Sequence, residues 1–308
     1  MTVQVSTTID EGRAAEAALA WAAQVAEGTA RLDEPPPMPG VEPMRALPMA
    51  VVRKHMDAVL VGKDVVDGLE ALHATRVLDA WLPEVAAMVG FGDGEWRHKD
   101  VWRHTKLVCS QIIPRLELRW GALLHDIGKP RTRSMDRDGR VHFHGHAEVG
   151  ASMFRKRVAK RLAFEEPLRE RVHFLILHHL RPSQYDGSWT DSAVRRFYKH
   201  MGEGLEDLLL LSRADITTKR PERRKRLVRR ITELQARIRE LQAADAKVPP
   251  LPKGLGNLLM THFGIPPSKK LGDIRKQLEA EVEAGELEGG RDPEYYLAHI
   301  EQHRDRYL

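Results

Sequence analysis

A histidine and an aspartate stand side by side at the end of an apolar run, in the octet ALLHDIGK at residues 122–129. Burying both without partners is costly. Any fold that hides this run must therefore bring His125 and Asp126 to other polar groups or to a cation. The surrounding histidines point the same way. Ten of the fifteen fall between 98 and 200. Five of those, His104, His125, His146, His178 and His179, lie in or beside apolar stretches with helical spacing. One histidine on such a face is ordinarily a hydrogen-bonded core residue. Several recurring beside an aspartate form the imidazole and carboxylate set that suits a divalent metal.

Adjacent residues on a helix project about 100° apart, so His125 and Asp126 flank a point above their helix rather than face each other. His104 and Asp215, carried by two further helices, would close the far side of that point. Asp215 follows the Leu-rich run in LLLLSRADITTK. Aspartate is a poor helix former and a poor core residue, so it needs either a cation or a capping role for the next helix.

The rest of the chain is read as helical. Leu, Ala, Arg and Glu dominate, and aromatics are only 6%, a mixture that favours helix. Helix is predicted over 11–27. The Pro-rich stretch DEPPPMPGVEPMRALP at 33–48 reads as an extended linker. Residues 49–89 return to helical patterning, with Leu69, Leu72, Val77, Leu78 and Leu82 at compatible spacing. From 100 to 215 five further helical segments follow: DVWRHTKLVCSQII, LELRWGALLHDIG, AEVGASMFRKRVAKRLA, PLRERVHFLILHHL and LEDLLLLSRADIT. One interruption, RTRSMDRDGRVHFHGH, sets Asp138-Gly139 between short alternating stretches and predicts a hairpin. Within it His142 and His144 point opposite to the apolar residues, either lining a site or facing solvent. The carboxylate pairs Asp93/Glu95 and Asp136/Asp138 are read as turn residues, and His98 as peripheral.

A long basic helix is predicted over 222–242. Residues 219–230, KRPERRKRLVRR, hold eight Lys/Arg. Leu227, Ile231, Leu234, Ile238 and Leu241 form an apolar stripe behind them. The basic face is a solvated surface, or a nucleic-acid contact through Arg223, Arg224, Arg226 and Arg230. A homomeric coiled coil along the stripe is a third reading, so a homo-oligomer stays open.

The net charge of +5 and pI near 9.3 give a moderate bias towards anionic partners. The single cysteine, Cys109, excludes an internal disulfide and a cysteine zinc site, and reads as a small core residue. The acidic, Ala-rich N-terminus does not read as a signal peptide, and no apolar run reaches the length of a membrane span. A cytoplasmic protein with no membrane partner is expected.

The ordered series His104, His125-Asp126, Asp215 resembles that of the HD-domain metal-dependent phosphohydrolases. More narrowly, HKDVWRHTKLV, GALLHDIGKPRT, DGRVHFHGHAEVGA, LILHHLRP and SRADITTK resemble the HD and C-terminal domains of bacterial CCA-adding tRNA nucleotidyltransferases and their poly(A) polymerase relatives. The tail LPKGLGNLLMTHFGIPPSKKLGDIRKQLEAEVEAGEL is similar to that family as well. The likeness runs from about residue 50 to 300.

The resemblance implies an all-α fold, an HD-domain helical bundle with one short β-hairpin insertion and a helical C-terminal region. The expected divisions are 1–48, an N-terminal helix and linker; 49–217, the HD domain; and 218–308, the basic helix and tail. It also implies a divalent metal centre of one or two ions, with Mg, Mn, Ni, Fe and Zn not distinguished. His104, His125, Asp126 and Asp215 would hold the first ion. Asp126 would bridge to a second held by His146, which opens a helix after the hairpin, and His179, preferred over His178 by register.

Asp126 and Lys129 are the catalytic candidates. Lys129, Arg131 and Arg181 are placed on the substrate phosphate, or else complement helix C-termini. The expected activity is phosphohydrolysis of nucleotide phosphates, 2′,3′-cyclic phosphates or RNA ends, with a tRNA-like RNA as a further partner. The family's polymerase head needs a Gly-Ser turn and two carboxylates one residue apart on a strand. Neither stands upstream of residue 50, so nucleotide addition by this chain alone is not expected. Two rivals remain: a non-catalytic RNA-binding module, and the HD and tail subunit of a split nucleotidyltransferase.

Overall fold

The computed structural model describes residues 2–92, 100–246 and 249–308. Asp93, Glu95 and His98 lie outside the described residues. The described part is all-α with one two-stranded hairpin. It divides into two compact units, 1–238 and 239–308.

The first unit opens with α1 (Thr2–Glu27), followed by α2 (Val41–Arg45), α3 (Met49–Val61), α4 (Val65–Ala74), α5 (Val77–Trp81) and α6 (Pro83–Ala86). The N-terminal region is not separate from the domain that follows. Ala15, Ala18, Leu19, Ala22 and Ala26 of α1 are fully buried, and the helix lies against α3 and α4. Small residues make this possible: a Cβ on Gly68 would stand 2.5 Å from the Ala26 methyl. The Pro-rich stretch is also tied down. Its α2 buries Met44, whose carbonyl accepts from Trp81 Nε1 at 2.8 Å. The division expected at 48 is therefore not where the structure divides. Leu69, Leu72, Val77, Leu78 and Leu82 are all in the core.

Next come α7 (Val101–Gln111), α8 (Leu116–Leu124), the short α9 (Lys129–Thr132), strands β1 (Ser134–Met135) and β2 (Val141–His142), α10 (His146–Met153), a π-helical turn (Phe154–Val158) and α11 (Ala159–Arg161). Asp100 caps α7, accepting from Arg103 N at 2.9 Å. The antiparallel strands pair Ser134 with His142 and Met135 with Val141. Asp136 Oδ1 closes their turn by accepting from the backbone N–H groups of Asp138 and Arg140, so the Asp136/Asp138 pair belongs to the hairpin. The unit continues with α12 (Leu168–His178), α13 (Asp191–Met201), α14 (Leu205–Ala214) and most of α15 (Pro221–Ala246). Ile231, Leu234 and Ile238 are buried within this single chain, which leaves that part of the apolar stripe no seam for a second copy. The expected division at 217 gives way to one at 238, because α15 begins inside the first unit.

The second unit holds α16 (Leu255–Phe263), α17 (Lys269–Glu283), α18 (Pro293–Gln302) and α19 (Arg304–Tyr307) around a core that includes Leu255, Leu259, Leu278, Tyr296 and Ile300. No helix among the described residues is long and apolar enough to cross a membrane.

Candidate metal centre

Four helix ends converge in the first unit. His125 and Asp126 sit in the turn just past α8, His146 opens α10, His179 follows α12, and Asp215 follows α14. His104 comes from the middle of α7. The helices approach through small residues: a Cβ on Gly121 of α8 would lie 2.8 Å from Leu175 of α12. This brings the His125 and His179 rings to a centroid separation of 5.2 Å.

Three imidazoles are fixed identically. His125 Nδ1 donates to Ala122 O at 2.8 Å, His146 Nδ1 to Phe143 O at 2.7 Å, and His179 Nδ1 to Ile176 O at 2.7 Å. A carbonyl only accepts, so the Nδ1 proton is assigned and Nε2 is turned inward, carrying a bare lone pair whenever the ring is neutral. His146 Nε2 and His179 Nε2 then face each other at 3.2 Å, and so do the Nε2 atoms of His104 and His125. Two nitrogens bound to one ion at about 2.0–2.1 Å stand roughly 3.0–3.4 Å apart.

Asp126 lies between the two pairs. Its Oδ2 is 3.2 Å from His125 Nε2 and 3.5 Å from His104 Nε2. Its Oδ1 is 3.4 Å from His146 Nε2 and 4.0 Å from His179 Nε2. Lys129 Nζ donates to Oδ2 at 2.5 Å. Oδ1 is buried and has no hydrogen-bond partner among the described residues. A buried carboxylate oxygen with no donor, facing two imidazole lone pairs, fits a cation. Two groups have the spacing to hold one: His104, His125 and Asp126, and Asp126, His146 and His179. Asp215 Oδ1 adds a carboxylate 3.0 Å from His104 Nε2 and 3.5 Å from His125 Nε2.

The electrostatics agree with this geometry. Burial opposes charge on His125, but Asp126 and then Asp215 outweigh it and push its pKa up to about 10. Burial also works against Asp126, and His125, Lys129 and His104 outweigh it, holding the carboxyl well below its usual range. Asp215 is likewise lowered, against burial, by its hydrogen bonds to His104 and His125. In the other pair burial wins. It lowers His146, and with the nearby His125 it takes His179 down to about 4. The second pair is thus neutral, with both lone pairs free to bind a cation.

His179, not His178, faces the cluster. His178 is half-buried against Phe174 and His200, with ring centroids at 4.8 and 5.8 Å. Burial and then the nearby Arg181 lower its pKa. Arg131 is exposed and Arg181 half-buried, and neither side chain meets the cluster among the described residues. Lys129 does not end a helix: α8 stops at Leu124, and Lys129-Pro130 opens α9. The helix C-terminus reading of Lys129 is therefore replaced by a contact with Asp126. His142 is held by Asp136 Oδ2 at 2.9 Å and stacks on His144 at 5.1 Å. Cys109 is buried, and burial pushes its thiol up to about 12, as expected of an inert core residue. On α15, Arg223, Arg224 and Arg226 are exposed and Arg230 is half-buried.

One contact was not expected. His104 Nδ1 is held by a hydroxyl rather than a carbonyl: it meets Thr217 Oγ1 at 2.8 Å. Asp215 and Thr217, two residues apart, thus hold both ring nitrogens of His104. The only sequence signal was their common place in SRADITTK.

Residues 101–230 match the HD domain family. The chain contains an HD domain. Its other similarities extend beyond that domain. It is 32% identical over 244 residues to the A-adding tRNA nucleotidyltransferase of Deinococcus radiodurans, a match spanning 77% of this chain and 55% of that protein. It is 34% identical over 170 residues to the CC-adding tRNA nucleotidyltransferase of Thermus thermophilus, spanning 53% of this chain and 38% of that protein. It is 30% identical over 122 residues to the multifunctional CCA protein of Tolumonas auensis, spanning 38% and 29%. The chain therefore spans at most about half the length of these relatives.

Proposed function

We propose that the HD domain is a metal-dependent phosphohydrolase acting on nucleotide phosphates, 2′,3′-cyclic phosphates or RNA ends. The observation that carries this reading is Asp126, a buried carboxylate whose Oδ1, with no hydrogen-bond partner among the described residues, faces one histidine pair while Oδ2 faces the other. His104, His125, Asp126 and Asp215 would hold one ion, and Asp126, His146 and His179 a second. A divalent ion bound there supplies an activated water near neutral pH and polarises a phosphoryl oxygen.

The protein's own groups do the rest. The Nδ1–carbonyl bonds keep the imidazole lone pairs aimed inward without reorganisation. Lys129 is 21% exposed at its side chain, reachable from solvent, and can turn from Asp126 towards an incoming phosphate. In the hydrolysis, the water oxygen joins phosphorus, one phosphorus–ribose oxygen bond breaks, and that ribose oxygen takes up a proton. Metal content measured together with turnover on a panel of phosphate esters tests the reading. A well-folded protein that takes up no divalent ion and turns over none of the panel would overturn it.

His125 gives a second check. Its Nδ1 proton is committed to Ala122 O, so the proton that a pKa near 10 retains at neutral pH sits on Nε2, the atom that must bind metal. Metal uptake near neutral pH is expected to release about one proton. Calorimetry in buffers of different ionisation enthalpy reads this number. The same competition makes affinity rise with pH up to the region of that pKa.

A second reading draws on the relatives, two of them named as tRNA nucleotidyltransferases. In it the chain is the HD and tail part of such an enzyme, with a tRNA-like RNA as partner. Recovery of a nucleotidyltransferase with the tagged protein, and nucleotide addition by the pair but by neither alone, would support it.

A further inference from the structure

We propose that the HD site acts on the end of an RNA strand rather than on a free nucleotide, and that the nucleotides leading to that end lie in a cationic groove at the start of α15. This rests on the phosphohydrolase reading and names its substrate class.

The groove has a volume of about 880 Å³ and is lined by Thr218, Lys219, Arg224, Lys225, Val228 and Arg229, among others. The lining is one face of α15 and the residues just ahead of it, so the groove is open to solvent, and from Pro221 to Glu233 it runs about 18 Å at 1.5 Å per residue, longer than one phosphate needs. Its charge is largely uncompensated. Among the described residues neither Lys219 nor Lys225 meets a carboxylate. Arg224 donates to a neutral group, Gln111 Oε1, at 2.8 Å. Arg229 alone is paired, with Glu233 at 2.7 Å. Val228, Pro221 and the Lys and Arg stems give the groove an apolar floor. No aromatic ring lines it among the described residues. Such a surface binds a sugar-phosphate backbone with little preference for base.

Its position links it to the metal centre. The segment that ends α14 holds His104 through Asp215 and Thr217, and the next two residues, Thr218 and Lys219, already line the groove. Two residues of chain span at most about 7 Å. Gln111 ties the same places from the other side: it closes the helix that carries His104, donates to Ala214 O at 3.2 Å and accepts from Arg224. A free nucleotide with its phosphate at the metal centre would leave these cations unused. A strand would occupy both places at once.

The test compares two substrates with the same reacting group: an oligoribonucleotide ending in a 2′,3′-cyclic phosphate, and a 2′,3′-cyclic mononucleotide. The expected result is a higher kcat/KM for the oligonucleotide, with the difference shrinking as salt rises. Changing both lysines (Lys219→Gln, Lys225→Gln) should reduce that preference severalfold. Binding of the oligonucleotide in chelator, read by fluorescence anisotropy, should lose about 1.4 from its log–log salt slope, about 0.7 for each of two lost phosphate contacts on a single strand. Both lysines are exposed, and an unchanged melting temperature shows that the variant is folded. Equal kcat/KM for the two substrates, or a preference and salt slope untouched by the double substitution, would overturn the substrate assignment while leaving the phosphohydrolase reading in place. Metal-loaded protein that turns over neither substrate would overturn the substrate assignment, and failure on the whole panel of phosphate esters would overturn the phosphohydrolase reading as well.

Discussion

On the phosphohydrolase reading, Asp126→Ala is expected to abolish turnover and to strip the site of bound metal, while leaving the helical fold in place. Asp126 is the one side chain common to both groups that can hold a cation. Losing an outer-shell partner of a metal ligand ordinarily costs about 10–100-fold. Losing a ligand common to both groups should cost more than that. The rival is a purely structural carboxylate that neutralises His125 and Lys129, which it meets at 3.2 and 2.5 Å. On that reading the alanine leaves two cationic groups without their counter-charge in a buried site, and the cost falls on stability, on the order of 3–5 kcal/mol.

The two readings predict different losses. Metal stoichiometry, turnover of a cyclic nucleotide and melting in chelator, measured on one preparation, separate them. Retained metal and turnover with a large drop in stability would sink the catalytic reading. His125 helps in the comparison. Its pKa, raised to about 10 by Asp126 and Asp215, gives the metal-free fold a stabilisation that is full below the unfolded value near 6.5 and is lost as pH rises towards 10. Comparing wild type and variant in chelator across that window isolates how much of the stability belongs to this charge pair.

Much of the site was legible in the sequence because its polar residues stand at the ends of apolar helices, where a lone charge has no cheap alternative. That reasoning picked out His125-Asp126 and Asp215, and the register of VHFLILHH set His179 apart from His178. The parts it missed have particular causes. Periodicity shows that a helix has an apolar face but not which helix covers it, so α1 read as a separate segment although Leu19 and Ala22 are fully buried. The helix α13 was missed although Val194, Phe197, Tyr198 and Met201 repeat at intervals of three and four and are all buried. Its intervening Arg, Lys and His residues diluted the pattern. Thr217 was invisible for another reason. A threonine after a helix is an ordinary residue, and only the fold brings it to a histidine 113 positions earlier.

Gly128 shows how closely fold and site are joined, and Gly128→Ala is the second substitution expected to have a large effect. The backbone there is ordinary right-handed, with φ of −77°, so conformational freedom is not what requires glycine. Space is. A Cβ at 128 would lie 2.1 Å from His146 O and 2.8 Å from Gly150 N. Both are backbone atoms, so no side chain can rotate away, and α10 would have to move off the Asp126 turn. The cost of such overpacking is typically 1–3 kcal/mol, so a loss at or above about 3 kcal/mol is expected where main chain meets main chain. Because α10 carries His146, the shift should open the Asp126–His146–His179 group and spare His104 and His125. Metal content should fall towards the share held by the first group alone. Gly150→Ala is the control, since its Cβ would meet Gly128 N at 3.3 Å, an Ile176 methyl at 3.4 Å and an Ile127 methylene at 3.6 Å, contacts that small adjustments absorb. If Gly128→Ala keeps full metal content and stability, the close approach of α10 to the Asp126 turn is not what assembles the second group.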